Sequence, residues 1–238
     1  MYALGDLHRN IHHMKLDIER KKISDTSIFQ VGDFEVGFIN PKKEEKRLQD
    51  INDFLKEKNI IMYVIRGNHD NPSYFKGDHI FSNLQFLPDY SIIETKYDKV
   101  LCVGGAISPD RKYRKMESDM LSRMGQLPNW WNDEGFILNE NIIKDIKGID
   151  VVITHTAPSY CKPNGSFPEI MEQYFKSDPD LKEDILSERA DISKLFHILS
   201  KNNTIKYHVH GHFHRYDITD NLYTQHISLG KNEFYEIN

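Results

Sequence analysis

Five short polar clusters punctuate this chain, each directly after an apolar run. They are Asp6-Leu7-His8, Gly32-Asp33, Arg66-Gly67-Asn68-His69-Asp70, Thr154-His155 and Gly211-His212-Phe213-His214. The runs at Tyr2–Leu4, Ile28–Val31, Ile60–Ile65, Val151–Thr154 and Ile205–Val209 are short and rich in β-branched residues, which is the signature of strands. A chain built this way must place its chemistry on the turns that end its strands. One such fragment carries little information, because Asp-x-His or Gly-His-x-His arises often by chance. Five in one order constrain the fold strongly.

Between the strands lie helical patterns. Asn10 can cap a helix whose Ile11, Met14 and Ile18 share one face. Leu48, Ile51 and Leu55 follow Pro41, a good first-turn residue. Ile142, Ile143 and Ile146 form a third stripe, and Ile192, Leu195, Phe196 and Leu199 a fourth. Another strand is expected at Val100–Val103, and Leu222–Ser228 with Glu233–Ile237 is expected to close the C-terminus as an antiparallel pair. Strands alternating with helices, then strand-rich segments, predict an α/β fold of two packed mixed sheets flanked by helices. The length of 238 residues is compatible with one domain over 1–238. Prolines and glycines after Ser159 suggest that 159–200 is a loop and helical insertion over the site. Met116, Met120 and Met124 recur at helical spacing and are expected in the core.

Composition narrows the function. No window approaches the roughly 18 consecutive apolar residues of a membrane-spanning helix. Cys102 and Cys161 are too few for a disulfide framework, so a reducing cytoplasm is the expected location. Net charge is −5, which argues against a partner such as long nucleic acid. It leaves a small phosphorylated substrate or a phosphoprotein open, because bound metals would bring positive charge. The Asp, His and Asn of the clusters suit two divalent ions, manganese first, with iron, zinc or nickel as alternatives. Hydrolysis of a phosphate ester needs a nucleophile at neutral pH and neutralised phosphoryl charge, and two ions supply both. Asp33, central in the order, is the natural bridge between them.

The five clusters together resemble the calcineurin-like metallophosphoesterase superfamily, over residues 6 to 214. The resemblance implies a helix-flanked two-sheet sandwich. It implies that Asp6, His8, Asp33 and His214 hold a first metal, and Asp33, Asn68, His155 and His212 a second. It also implies that His69 faces the leaving-group oxygen as a catalytic acid, with Asp70 orienting its ring and raising its pKa. Arg66 resembles a phosphate-clamping arginine, and Arg9, Arg111, Arg114 and Asn68 are further candidates for substrate contact. Gly104-Gly105 and the paired Trp130 and Trp131 could help line a pocket. The expected reaction is hydrolysis of phosphate monoesters by in-line attack of a metal-bridging hydroxide. A phosphodiesterase or nuclease acting on cyclic or short nucleotides is the rival enzyme. A degenerate scaffold that binds proteins is the rival of another class.

Overall fold

The computed structural model describes residues 1–78, 81–162, 169–221 and 223–238. Two sheets organise it. The first has the order β11-β1-β2-β3-β4, where β1 is Tyr2–Leu4, β2 Thr26–Gln30, β3 Ile60–Val64, β4 Leu84–Phe86 and β11 Phe234–Glu236. The second runs β5-β6-β7-β8-β10-β9, with β5 Ser91–Glu94, β6 Lys99–Val103, β7 Val151–Thr154, β8 Tyr207–His210, β9 Asp217–Asn221 and β10 Thr224–Ser228. Strands β1 to β4 are parallel, as are β6, β7, β8 and β10, so the polar turns after β1, β2 and β3 fall on one edge and those after β7 and β8 on another. Strands β5, β9 and β11 pair antiparallel at the sheet margins, which makes both sheets mixed as expected.

Because successive side chains of a strand face opposite ways, each strand serves two cores. Ala3, Phe29, Cys102, Ile153, Val209 and Ile227 point inward and fill the layer between the sheets. Their neighbours Leu4, Ile28, Met62 and Val64 point outward against Met14 and Ile18 of α1 (Ile11–Arg20) and Leu48, Ile51 and Leu55 of α2 (Pro41–Glu57). Leu101, Val103 and Val152 meet α6 (Leu181–Leu199) on the other outer face. Completely burying a Leu, Ile or Phe side chain contributes about 1.5–3 kcal/mol, and this two-sided burial locks the strand register. Register in turn fixes where each motif turn stands.

Several expectations change. The two C-terminal strands do not pair with each other: β10 joins β8 in the second sheet and β11 joins β1 in the first. A strand-to-strand turn is only one way to use two consecutive strands, and here each completes a different sheet. Leu222, the expected start of that pair, lies outside the described residues, as do His79 and residues 163–168. Of the 159–200 stretch, expected as an insertion over the site, α6 forms the outer layer of the second sheet through Ile192, Leu195, Phe196 and Leu199. The shorter α5 (Met171–Ser177) precedes it. The methionine stripe belongs to α3 (Arg111–Arg123) and its C-cap, and it is not core: Met116, Met120 and Met124 are 66%, 55% and 63% exposed. The Ile142–Ile143 stripe makes only the single turn α4 (Glu140–Ile143). Asn10 does precede α1, but its side chain takes no backbone N–H there and instead lies 2.5 Å from His13 Nδ1. Among the described residues no helix is long and apolar enough to cross a membrane.

Candidate metal centre

The turns after β1, β2, β3, β7 and β8 converge. His8, Arg9, Asp33, Glu35, His212 and His214 all adopt positive φ, between 43° and 69°. Non-glycine residues rarely do so, and such turns mark places where geometry is imposed on the backbone. The effect is to turn the ligand-type side chains toward one another.

Asp6, His8, Asp33 and His214 each offer an atom within 4.8 Å of the others. His8 Nε2 and His214 Nε2 are 2.9 Å apart, His214 Nε2 stands 3.1 Å from Asp6 Oδ2, and His8 Nε2 is 3.6 Å from Asp33 Oδ2. A second set meets on the other side of Asp33. His155 Nε2 lies 3.2 Å from Asp33 Oδ1 and 3.1 Å from Asn68 Oδ1, and His212 Nδ1 lies 2.9 Å from the same Asn68 oxygen. Asp33 therefore turns one carboxylate oxygen to each set. Two convergent groups of lone pairs, sharing one carboxylate, have the donor composition of a pair of divalent ions.

Supporting contacts orient these groups. His155 Nδ1 donates to the Val31 carbonyl at 2.7 Å, which leaves Nε2 free for the centre. Asp6 accepts the His212 N–H at 2.9 Å, and Asp33 Oδ1 accepts the His69 N–H at 2.8 Å. Gln30 holds the Gly32 turn from both sides, accepting its N–H at 3.1 Å and donating to its carbonyl. At Gly67 and Gly211, as at Gly32, only glycine fits. A Cβ on Gly67 would stand 2.2 Å from Asp33 Oδ1, and one on Gly211 would stand 2.0 Å from Asp6 Oδ1. Electrostatics follow from this crowding. Burial opposes charge on both Asp33 and His155, yet their mutual contact wins: Asp33 is held well below the usual carboxylate range and His155 is raised to about 9.

The other expected residues are placed differently. Arg66 is buried, and its fork is consumed by Asp89 (3.0 and 2.9 Å) and by the carbonyls of Asp133, Glu134 and Gly135. All five N–H groups are spent, so it staples β3 to the 133–135 turn and has none left to clamp a phosphate. Arg111 is tied to Asp178 and Asp184 at 2.7 and 2.6 Å, which binds α3 to α5 and α6. Arg114 is buried behind the centre and donates to the Asn68 carbonyl and to Ser108 Oγ at 2.9 and 2.7 Å. Asp70 does not reach the His69 ring: its carboxylate accepts N–H groups from Phe34, Glu35, Val36 and Gly67. It pins the Asp33 turn to the Asn68 turn. Without that partner, burial draws the His69 imidazole down to about 4 instead of raising it. The His69 ring packs edge-on against His8 at 5.2 Å. Arg9 stays at the rim, 3.6 Å from Glu35, with its guanidinium 5.4 Å from the Phe38 ring. Phe38 in turn meets Trp131 edge-on, so one tryptophan does belong to this rim.

Two residues escaped sequence reasoning. Ser108 accepts the Asn68 amide at 3.0 Å and passes its own proton to Glu134 at 2.7 Å, which turns Asn68 Oδ1 toward the two histidines. Its signal was its position after β6, a strand end like the others. Burial is the main cause that lowers the His8 pKa, and the charge of Lys231 adds to it from a turn whose Asn232 N–H donates to the Asp6 carbonyl. Nothing local in the sequence marks Lys231, since it is brought there by β11 pairing with β1.

Comparison with known proteins agrees with this geometry. The model of the calcineurin-like phosphoesterases matches residues 1–216. The chain belongs to that family. Membership makes it a metal-dependent phosphoesterase, and thus a hydrolase. Among solved structures it is similar to a dimetal phosphatase from Danio rerio, at 11% identity and a TM-score of 0.52, over 97% of this chain and 87% of that one. It is also similar to a putative 5'-nucleotidase from Staphylococcus aureus solved with α-ketoglutarate, at 15% identity and a TM-score of 0.50. That match covers 97% of this chain but only 48% of the other. At such identities the likeness concerns the fold. No curated protein matches the sequence.

Proposed function

We propose that the protein is a binuclear hydrolase of phosphate monoesters acting on a small phosphorylated substrate. The observation that carries this reading is Asp33, whose Oδ2 faces the His8 set and whose Oδ1 faces the His155 set. The two ions, manganese by preference, would supply an activated water and neutralise phosphoryl charge. Asp6, His8, Asp33 and His214 would hold one, and Asp33, Asn68, His155 and His212 the other.

His69 would stand over the leaving-group oxygen and donate a hydrogen bond to it. Its backbone N–H is anchored on Asp33, which ties its position to the centre. Asp70 serves it indirectly by fixing the two turns. Since Arg66, Arg111 and Arg114 are committed elsewhere, contact with non-reacting substrate anions falls to Arg9 and Lys231 at the rim. The contacts that fix Asn68, its amide on Ser108 and its carbonyl under Arg114, support a preorganised site.

The test is metal analysis joined to turnover of an aryl phosphate. The wild type should carry two divalent ions and lose activity in EDTA, and Asp33→Asn should lose ions and activity together. His69→Ala should keep both ions but lose about 10²-fold or more on an alkyl phosphate, with a smaller loss on p-nitrophenyl phosphate, whose leaving group needs no proton. Full activity of the Asp33 variant would end the two-ion reading.

A further inference from the structure

Three histidines outside the ligand sets are buried, His208, His210 and His226, and two of them form a directional relay. Thr154 Oγ1 lies 2.5 Å from the Thr156 carbonyl, which has only lone pairs, so the hydroxyl proton must point there. Oγ1 can then only accept from His208 Nε2, 2.7 Å away. His208 is accordingly the Nε2–H tautomer, and its Nδ1 is an acceptor. His226 Nδ1 is 2.8 Å from that atom and must donate to it. The other nitrogen of His226 is left as a bare lone pair.

His226 is 2% exposed, and its Nε2 is buried without a hydrogen bond among the described residues. An unpaired buried acceptor costs about 1–3 kcal/mol. Protonation does not relieve it, because burial holds the imidazole down at about 4. His226 lies in the wall of a cavity of about 620 Å³ on the α6 side of the second sheet, shared with Tyr160, Phe196, Asn221, Tyr223 and Thr224. This volume is in the range of small-molecule sites. Among the described residues the wall has aromatic faces, hydroxyls and amides, and no Lys, Arg, Asp or Glu. Asp220 nearby adds a negative field at His226, which disfavours an anion. None of the metal-centre residues lines it. Tyr160 stands edge-on to the His226 ring at 5.2 Å and is 38% exposed, with Phe196 edge-on at 5.3 Å, and a ligand reaching Nε2 would have to displace such a covering ring.

We propose that this cavity is a second binding site, for a flat, uncharged ring that donates an N–H or O–H to His226 Nε2. The aromatic walls take the ring faces, and the relay guarantees that the atom at the base accepts. A phosphate or carboxylate finds no cation there. The site stands apart from the phosphoesterase reading and does not depend on it.

Indole and benzofuran are nearly isosteric, and only indole carries a donor. The full chain labelled with ¹⁵N-histidine should show His226 protonated at Nδ1 and bare at Nε2. Indole should move the Nε2 resonance and bind at least about tenfold more tightly than benzofuran, as expected for one buried hydrogen bond. Benzoate should not bind. His226→Phe keeps a ring and removes the acceptor, so it should abolish the preference for indole. Should that variant not fold, the comparison of the three probes on the wild type decides alone. Equal affinities, no indole binding at millimolar concentration, indole binding with Nε2 unmoved, or a protonated Nε2 in the free protein would each overturn the proposal.

Discussion

Ser108→Ala isolates how the centre is held in place. Ser108 Oγ accepts from Asn68 Nδ2 (3.0 Å) and Arg114 Nη1 (2.7 Å) and donates to Glu134 (2.7 Å). The change removes all three bonds without adding volume. Arg114 keeps the Asn68 carbonyl at 2.9 Å, and Glu134 keeps the backbone N–H of residue 108 at 2.8 Å, so neither charge is stranded. What remains unpaired is the Asn68 amide and one carboxylate lone pair. At about 1–3 kcal/mol for each buried group left unsatisfied, and with partial relaxation, the metal-free protein should lose about 2–4 kcal/mol. The amide is also free to flip and present N–H groups to His155 and His212. Loss of such an orienting partner typically weakens a metal site 10- to 100-fold, or about 1.4–2.8 kcal/mol. Calorimetric titration of the metal-free protein with Mn²⁺ should therefore show one site weakened and the other nearly unchanged, since Asn68 belongs to one set only. Urea unfolding in EDTA measures the stability term separately. If stability falls while both metal affinities stay within about twofold of wild type, Ser108 merely packs, and the orienting role is wrong.

Two further outcomes follow from the buried charges. Arg66→Ala should cost about 3–5 kcal/mol of stability by stranding Asp89 and three carbonyls, whereas a phosphate-clamping role would raise KM in a protein of normal Tm. Glu188, which accepts N–H groups from Phe136 and Ile107, is pushed by burial up to about 7 from its usual 4.5. The folded state then holds this proton more tightly than the unfolded one. Its contribution is complete below pH 4.5 and is lost as pH rises through 7, by at most about 3 kcal/mol. Glu188→Gln should flatten the stability change between pH 5 and pH 8 in urea melts, and an unchanged slope would count against it.

Much of the site was legible because its residues are short-range features: a polar turn after each apolar run. Asp6, His8, Asp33, Asn68, His155, His212 and His214 do meet, since parallel strands in fixed register bring successive strand ends to one place. Arg66, Arg111 and Arg114 were misread for a physical reason. A guanidinium carries five donors on a long stem, and whether they meet a substrate or the protein's own carbonyls depends on turns far away in sequence, such as 133–135 for Arg66 and 178–184 for Arg111. Asp70 likewise lies one residue from His69, yet the turn aims its carboxylate at four backbone N–H groups.

Helix α3 shows the same limit. Periodicity identifies a shared face at Met116, Met120 and Met124 but cannot say which way that face points, and here it faces outward. Strand alternation, by contrast, left little freedom, because both faces of the central strands are apolar and must be covered on both sides. The sequence by itself thus determined the layered α/β architecture, the parallel strands' order of motifs and the ligand-type residues, all written in local pattern. Tertiary structure alone decided which arginines are spent inside the protein, what orients Asn68, how Lys231 comes within electrostatic range of His8, and which nitrogen of His226 is bare. Those depend on the pairing of hydrogen-bond donors and acceptors between segments remote in the chain, and such pairing has no local signature.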